Sequence, residues 1–330
     1  MSEQTLTRFD HFMAGALYGP RGYYTSPRTI IGARGDFTTT PKLTSRLAER
    51  IAEWIQAAWQ RQNKRLPVIE LGPGDGTLAA DIRKHLPWFA RRKLDYHFVE
   101  ISPHLTARQQ TRNKGSWHSD LTTALKTTGF EALIISNEFF DAFPVRIFRG
   151  SDEELFLGEN SEEIWRPTRD RPDSILFENP PERFEVAESI HHWIQHELSL
   201  LKKAEILTID YGGDAHENYH RRPLGSLRAY AHHMRLRVPE AYQNPGKQDL
   251  TFDVCFPDLI RWGEQIGLTT ESLITQAEFL GTQDTEGAGG AFKVLHQSMD
   301  QIESKTQKSR KNGHLRPHWS GMRDHGIFLA

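Results

Sequence analysis

Glu70, Gly72, Gly74, Asp75 and Gly76 crowd into one short stretch of the chain. Glycines at alternate positions tolerate positive φ and let a ligand approach the backbone closely. The apolar run Leu66 to Leu71 before them reads as a buried strand. Leu78 to Leu86 after them reads as an amphipathic helix, stopped by Pro87. Strand, glycine turn and helix open a nucleotide-binding α/β unit. A dinucleotide would set its pyrophosphate on the helix N-terminus. Here Pro73 removes one amide donor, and Glu70 and Asp75 oppose a polyanion. The same two carboxylates suit the ammonium and sulfonium of S-adenosylmethionine (SAM). The alternative is a tight strand-to-helix turn with no ligand.

Further acids stand where the following strands should end. Glu100 closes the predicted strand Leu94 to Ile101, where a carboxylate can accept from both ribose hydroxyls; the alternative is an unrelated strand-end acid. Asp120 suits either the adenine amino group or a helix N-cap. Asn137, Glu138 and Asp141 follow the apolar run Glu131 to Ser136. That strand delivers them to the C-terminal sheet edge, where ligands bind in open α/β sheets. The bland alternative for Glu138 and Asp141 is helix N-terminal charge, worth about 0.3–1 kcal/mol. Methyl transfer from SAM asks the protein to exclude water, align the acceptor and manage one proton. It needs no Lewis acid, so no metal is expected. His192 and His196 lie four apart, but a solvated helix face accounts for them.

These side chains need a sheet and its helices to hold them. Residues 1–62 read as an N-terminal extension, with helices at Phe9 to Leu17 and Leu43 to Trp59. A methyltransferase-like domain is expected over 63–297. Within it, 145–166 reads as an inserted hairpin or three-stranded meander, 167–181 as a connector, and Phe184 to Leu201 as a helix. Ala204 to Asp210 is a fifth strand, and 214–248 a long polar excursion. Phe256 to Ile266 should be helical. Thr269 to Phe279 and Ala291 to Gln297 should close the sheet across the link 281–290. The tail 298–330 is polar and expected to be poorly ordered. The 330 residues carry a net charge of -2, which points to neither nucleic acid nor a membrane as partner. The single cysteine, Cys255, excludes an internal disulfide and suits a reducing compartment. With no basic-then-apolar leader, the reading is a soluble, cytoplasmic protein.

Several blocks together resemble one family. They are Tyr18-Gly19-Pro20, Gly35-Asp36-Phe37, Glu70 to Gly76, Asn137 to Pro144, Ile209 to Gly212, Gly225 to Tyr230, Asn244-Pro245-Gly246 and Phe292 to Leu295. From about Phe12 to Leu295 the chain resembles the MidA-type branch of class I SAM-dependent methyltransferases. Mitochondrial members of that branch are protein arginine methyltransferases that assist assembly of respiratory complex I. The resemblance implies a Rossmann-like α/β fold: a mostly parallel seven-stranded sheet with helices on both faces, an N-terminal helical extension and a β insertion. It also implies SAM as cofactor and arginine on a partner protein as acceptor. Glu138 and Asp141 would then hold the guanidinium, with Asn137 orienting a donor. Arg228 and Tyr230 would close as a lid beside Tyr211, and Tyr23 and Tyr24 would line the entrance. Arg228 pairing with Asp210 or another local carboxylate, and core packing of the tyrosines, are the alternatives. Lys42, Asp253 and Cys255 depart from the family pattern, all on the expected substrate side. A small-molecule acceptor and a non-catalytic assembly factor stay open as other functions.

Overall fold

The computed structural model describes residues 6–26, 41–231, 234–236, 238–282 and 292–299, with only the backbone at 41–44 and 231. The chain begins with β1 (Thr7–Arg8), α1 (Phe9–Tyr18) and α2 (Pro41–Arg61). Strands and helices then alternate: β2 (Val68–Leu71), α3 (Thr77–His85), α4 (Trp88–Arg91), β3 (Tyr96–Val99), α5 (Pro103–Arg112), β4 (Ser116–His118), α6 (Leu121–Thr128) and β5 (Glu131–Asn137). Four strands follow, β6 (Arg146–Arg149), β7 (Glu153–Leu157), β8 (Glu163–Pro167) and β9 (Arg183–Val186), then α7 (Glu188–His196) and β10 (Lys203–Gly213). Next come α8 (Ala215–Tyr219), β11 (Arg228–Ala231), β12 (Met234–Leu236), β13 (Asp249–Thr251) and β14 (Val254–Cys255). The last elements are α9 (Phe256–Gln265), β15 (Thr269–Thr275), α10 (Gln276–Leu280) and β16 (Phe292–Met299).

The main sheet runs β15-β16-β10-β5-β2-β3-β4, with β14 added beside the end of β10. Neighbours from β10 to β4 are parallel, while β16 is antiparallel to both β10 and β15. A parallel sheet must be covered on both faces. Successive side chains point to opposite faces, so Leu133 and Ile135 pack with α2, α3 and α10. Ile134 and Ile206 pack on the other side with α6, α7 and α9. The helix expected at Leu43 to Trp59 does pack on the sheet, through Leu47, Ile51, Ile55 and Ala58. A second sheet, β1-β7-β6-β9 with β8 beside β7, carries α1. A third, β12-β11-β13, is built from the polar excursion.

Two element expectations fail for local reasons. Phe184 to Val186 is not helical: Arg183, Phe184, Glu185 and Val186 alternate polar and apolar, and β9 pairs with β6. The strand from Thr269 stops at Thr275 rather than Phe279. Thr275 caps α10 in a reciprocal capping box with Glu278. Ser298 and Met299, assigned to the tail, are the end of β16. Residues 300–330, the block Gly35 to Thr40, most of the link 281–290 and the Lys42 side chain lie outside the described residues.

Candidate active site

The three glycines between β2 and α3 all have positive φ, at +57°, +54° and +78° for Gly72, Gly74 and Gly76. Their reasons differ. A Cβ on Gly72 would lie 2.9 Å from the Phe139 ring. A Cβ on Gly76 would lie 2.7 Å from Asn113 Nδ2, against α5. Gly76 therefore also serves helix packing. Gly74 alone has nothing within 4 Å of that position. It is the point where a ligand can approach the main chain.

Two acids assigned to the cofactor's positive charge are committed elsewhere. Glu70 is 2% exposed and accepts the Tyr96 hydroxyl at 2.8 Å. Burial pushes its carboxyl up to about 8, so at neutral pH it carries a proton. For Asp75, burial opposes ionisation, but hydrogen bonds from Thr77 and Arg112 outweigh it and lower its pKa. Its charge is matched by Arg112 rather than by a ligand. Asp120 is the N-cap of α6, with Thr123 N donating to Oδ1 at 2.6 Å and Ser119 to Oδ2 at 2.8 Å. The cap, not an adenine contact, is what its geometry expresses.

Glu100 keeps its position at the end of β3. Ser102 N donates to it at 2.8 Å and Gln109 Nε2 at 2.9 Å. Burial raises its carboxyl to about 7. The same Gln109 amide donates to the Gly74 carbonyl at 2.7 Å, tying the ribose position to the glycine loop. Sequence reading missed Gln109. The available signal was a glutamine four residues after Leu105, on the face of α5 that turns inward.

β5 brings the acceptor side to the same edge. Glu138 is partly exposed and sits at φ +50°, a left-handed conformation uncommon for glutamate. Its N–H donates to Ile209 O at 2.9 Å, and Asn137 Nδ2 donates to its carboxylate at 3.3 Å. Burial, then repulsion from Asp141, raise its carboxyl to about 7. Asp141 is only 4% exposed and accepts the Tyr211 hydroxyl. Burial pushes it up to about 6. It backs the site instead of holding a substrate directly, a correction to its expected role. Asp210, fully buried, accepts the N–H groups of Phe139 and Phe140 at 3.2 and 3.0 Å. It fixes the turn that presents Glu138.

The expected lid is not a free arm. Arg228 is 6% exposed, pairs with Asp253, and stacks its guanidinium 4.5 Å over the Tyr211 ring. Asp253, a departure from the family pattern, also takes Arg222. Arg228 Nε donates to the hydroxyl of Tyr230 at 3.3 Å, and Tyr230 is partly exposed. Tyr23 is buried, and Tyr24 gives its hydroxyl to Asp249 at 2.8 Å. Tyr18, stacked on Tyr24, donates to Ala142 O at 2.9 Å and stands in the field of Asp249, Asp141 and Glu100. It links the cofactor side to the acceptor side and was not singled out from the sequence.

Residues 50–274, more than half of the chain, match the family model described as "Putative S-adenosyl-L-methionine-dependent methyltransferase". The chain belongs to this family. Protein arginine methyltransferase NDUFAF7 homolog, mitochondrial, of Drosophila melanogaster is 28% identical over 292 residues, covering 74% of this chain and 64% of that protein. Protein arginine methyltransferase NDUFAF7, mitochondrial, of Danio rerio is 28% identical over 334 residues, covering 88% and 75%. The chain thus spans about two thirds or less of the Drosophila relative's length. A crystal structure from Burkholderia thailandensis bound to S-adenosyl-homocysteine superposes with a TM-score of 0.73 at 23% identity, covering 90% of this chain and 89% of that one. That likeness bears out the class I, Rossmann-like fold, and the relatives bear out the MidA-type resemblance. SAM is the cofactor of this family, and the loop fits it. Gly74 offers an open approach to the backbone, and Glu100 offers strand-end carboxylate oxygens to a ribose.

Proposed function

We propose that this chain is a SAM-dependent protein arginine N-methyltransferase acting on a partner protein. Glu138 carries the reading. It is the partly exposed carboxylate at the sheet edge beside the glycine loop, held by Asn137 and by strained backbone. SAM, when bound, supplies a methyl group already activated on a sulfonium. A guanidinium stays protonated in water and offers five planar donors. Glu138 orients it through charge-assisted bonds and takes the proton released as the N–C bond forms. A carboxyl poised near 7 by burial and by Asp141 suits that proton transfer. The names of the curated relatives support both arginine and a protein acceptor.

The test is incubation of the full chain with methyl-labelled SAM and cell extract, then mass spectrometry of the labelled product. Methylarginine in a protein is the expected outcome. Label confined to small molecules would replace this reading with a small-molecule methyltransferase. Bound SAM with no transfer would leave a non-catalytic assembly factor. We also propose a cytoplasmic location, supported by the single, buried Cys255; fractionation of cells expressing the tagged chain checks it.

A further inference from the structure

We infer that the sheet edge opposite the active site docks on an anionic lipid surface. Among the described residues, Trp88 and Phe89 are exposed large apolar side chains, at 67% and 53%; Met234 on β12, at 59%, and the other exposed apolar side chains stand apart from them in the chain. They are adjacent on α4. Because β2, β3, β4, β5 and β10 are parallel, all of them start at one edge, and α3 runs back from the glycine loop to that edge before α4 begins. The aromatic pair therefore projects from the face furthest from Gly74 and Glu138.

The same face carries more cations than carboxylates, the latter being the exposed Asp95 before β3 and Glu131 at the start of β5, which Lys64 matches. Arg91, Arg92 and Lys93 follow the aromatic pair after the buried Ala90, and Arg65, Lys114 and Lys202 stand just before β2, β4 and β10. All six are exposed. Among the described residues none of the six has a carboxylate partner, whereas nearby Lys64 and Lys84 do, in Glu131 and Asp81. The starts of the parallel strands share one edge, so these cations gather on the side of the sheet that also carries the aromatic pair. Lysine and arginine near a membrane are drawn to anionic headgroups, and tryptophan favours the interfacial depth. A stable protein interface buries about 800 Å² on each partner. Two projecting side chains offer far less, and they form no groove. An anionic lipid surface matches the charge, and its interfacial depth suits the exposed Trp88. No helix among the described residues is long and apolar enough to cross a membrane. The attachment is thus peripheral, and it leaves the acceptor side facing solvent. Bulk charge hid this face, and the inference departs from the expectation of no membrane partner.

The experiment is flotation of the full chain with vesicles of phosphatidylcholine alone and of phosphatidylcholine with phosphatidylserine. Binding only to the second, weakened by salt, is expected. Trp88→Ser with Phe89→Ser, and separately Arg92→Glu with Lys93→Glu, should each lower partitioning by about tenfold or more. Both variants should keep wild-type SAM affinity by calorimetry, which confirms the fold independently of acceptor identity. Three results overturn the inference. The first is failure of the wild-type chain to float with anionic vesicles. The second is unchanged flotation in both variants. The third is transfer of the patch to another occupant, seen as a dimer or a complex with single-stranded RNA in sedimentation that the variants abolish while flotation persists.

Discussion

Changing Glu138 to Gln removes one charge and little else. Gln keeps an oxygen to accept from Asn137 Nδ2, and its N–H still bonds Ile209 O. The folded state should therefore survive. A hydrogen bond to a charged group contributes about 1.5–3 kcal/mol. At about 1.4 kcal/mol per decade, methyl transfer should fall roughly ten- to more than a hundredfold. The raised pKa adds a second signature. In the free protein Glu138 titrates near 7, so kcat/KM of the wild-type chain should climb toward a plateau above that pH. With a guanidinium and a sulfonium in place, two cations favour the carboxylate, and the limb in kcat should move to lower pH. The variant should lack this limb in both. Stopped-time assays with labelled SAM from pH 5.5 to 9 would measure it, with SAM affinity followed by calorimetry. Full transfer in Glu138→Gln, or an unchanged acidic limb, would refute the role of Glu138. A parallel loss of SAM affinity would move it into the cofactor site.

Other variants separate roles that the sequence merges. Gly74→Val should lower SAM affinity at least tenfold, about 1.4 kcal/mol by calorimetry, because that position opens on the ligand side. Gly76→Ala should instead lower Tm, since a methyl meets Asn113 and Gln109; overpacking of this kind costs about 1–3 kcal/mol. Glu70 is protonated when folded up to about pH 8 and ionised from about 4.5 when unfolded. Its contribution is thus complete below 4.5 and lost as pH rises to 8, on the order of 4 kcal/mol. Glu70→Gln should keep the Tyr96 bond and flatten that decline, read from urea midpoints at pH 5 and 8. Asp253→Asn leaves the buried Arg228 without its countercharge and should cost roughly 3–5 kcal/mol in urea unfolding. A change below about 1 kcal/mol would mean that Arg228 finds another partner.

The strand-turn-helix at 68–85, the succession of core strands along the chain and the sheet-covering face of α2 were all readable from the chain. Apolar runs and 3.6-residue spacing are local properties, and a buried parallel sheet leaves them plainly in the sequence. Short elements were not readable in this way. The four residues of β9 are held by pairing with β6, and the end of β15 is set by a cap. An alternation of only four residues is outweighed by the helical spacing that follows it, and the Thr275-x-x-Glu278 signature is passed over within an apolar run.

The candidate site divides along the same line. The sequence by itself placed Glu100, Asn137 and Glu138 at strand ends, because strand direction alone carries them to one edge. It supplied the right cofactor partly for the wrong reason. Glu70 and Asp75 looked like two anions awaiting a sulfonium, yet one is buried and protonated and the other is matched by Arg112. Protonation depends on burial, and pairing depends on an arginine far along the chain on α5, so only the tertiary structure decides them. Arg228 likewise became a buried partner of Asp253 and Tyr211 instead of a lid. The basic edge around Trp88 and Phe89 is the same kind of fact. A net charge of -2 is a sum over the whole chain, while the parallel sheet gathers the cations from several strand beginnings onto one face.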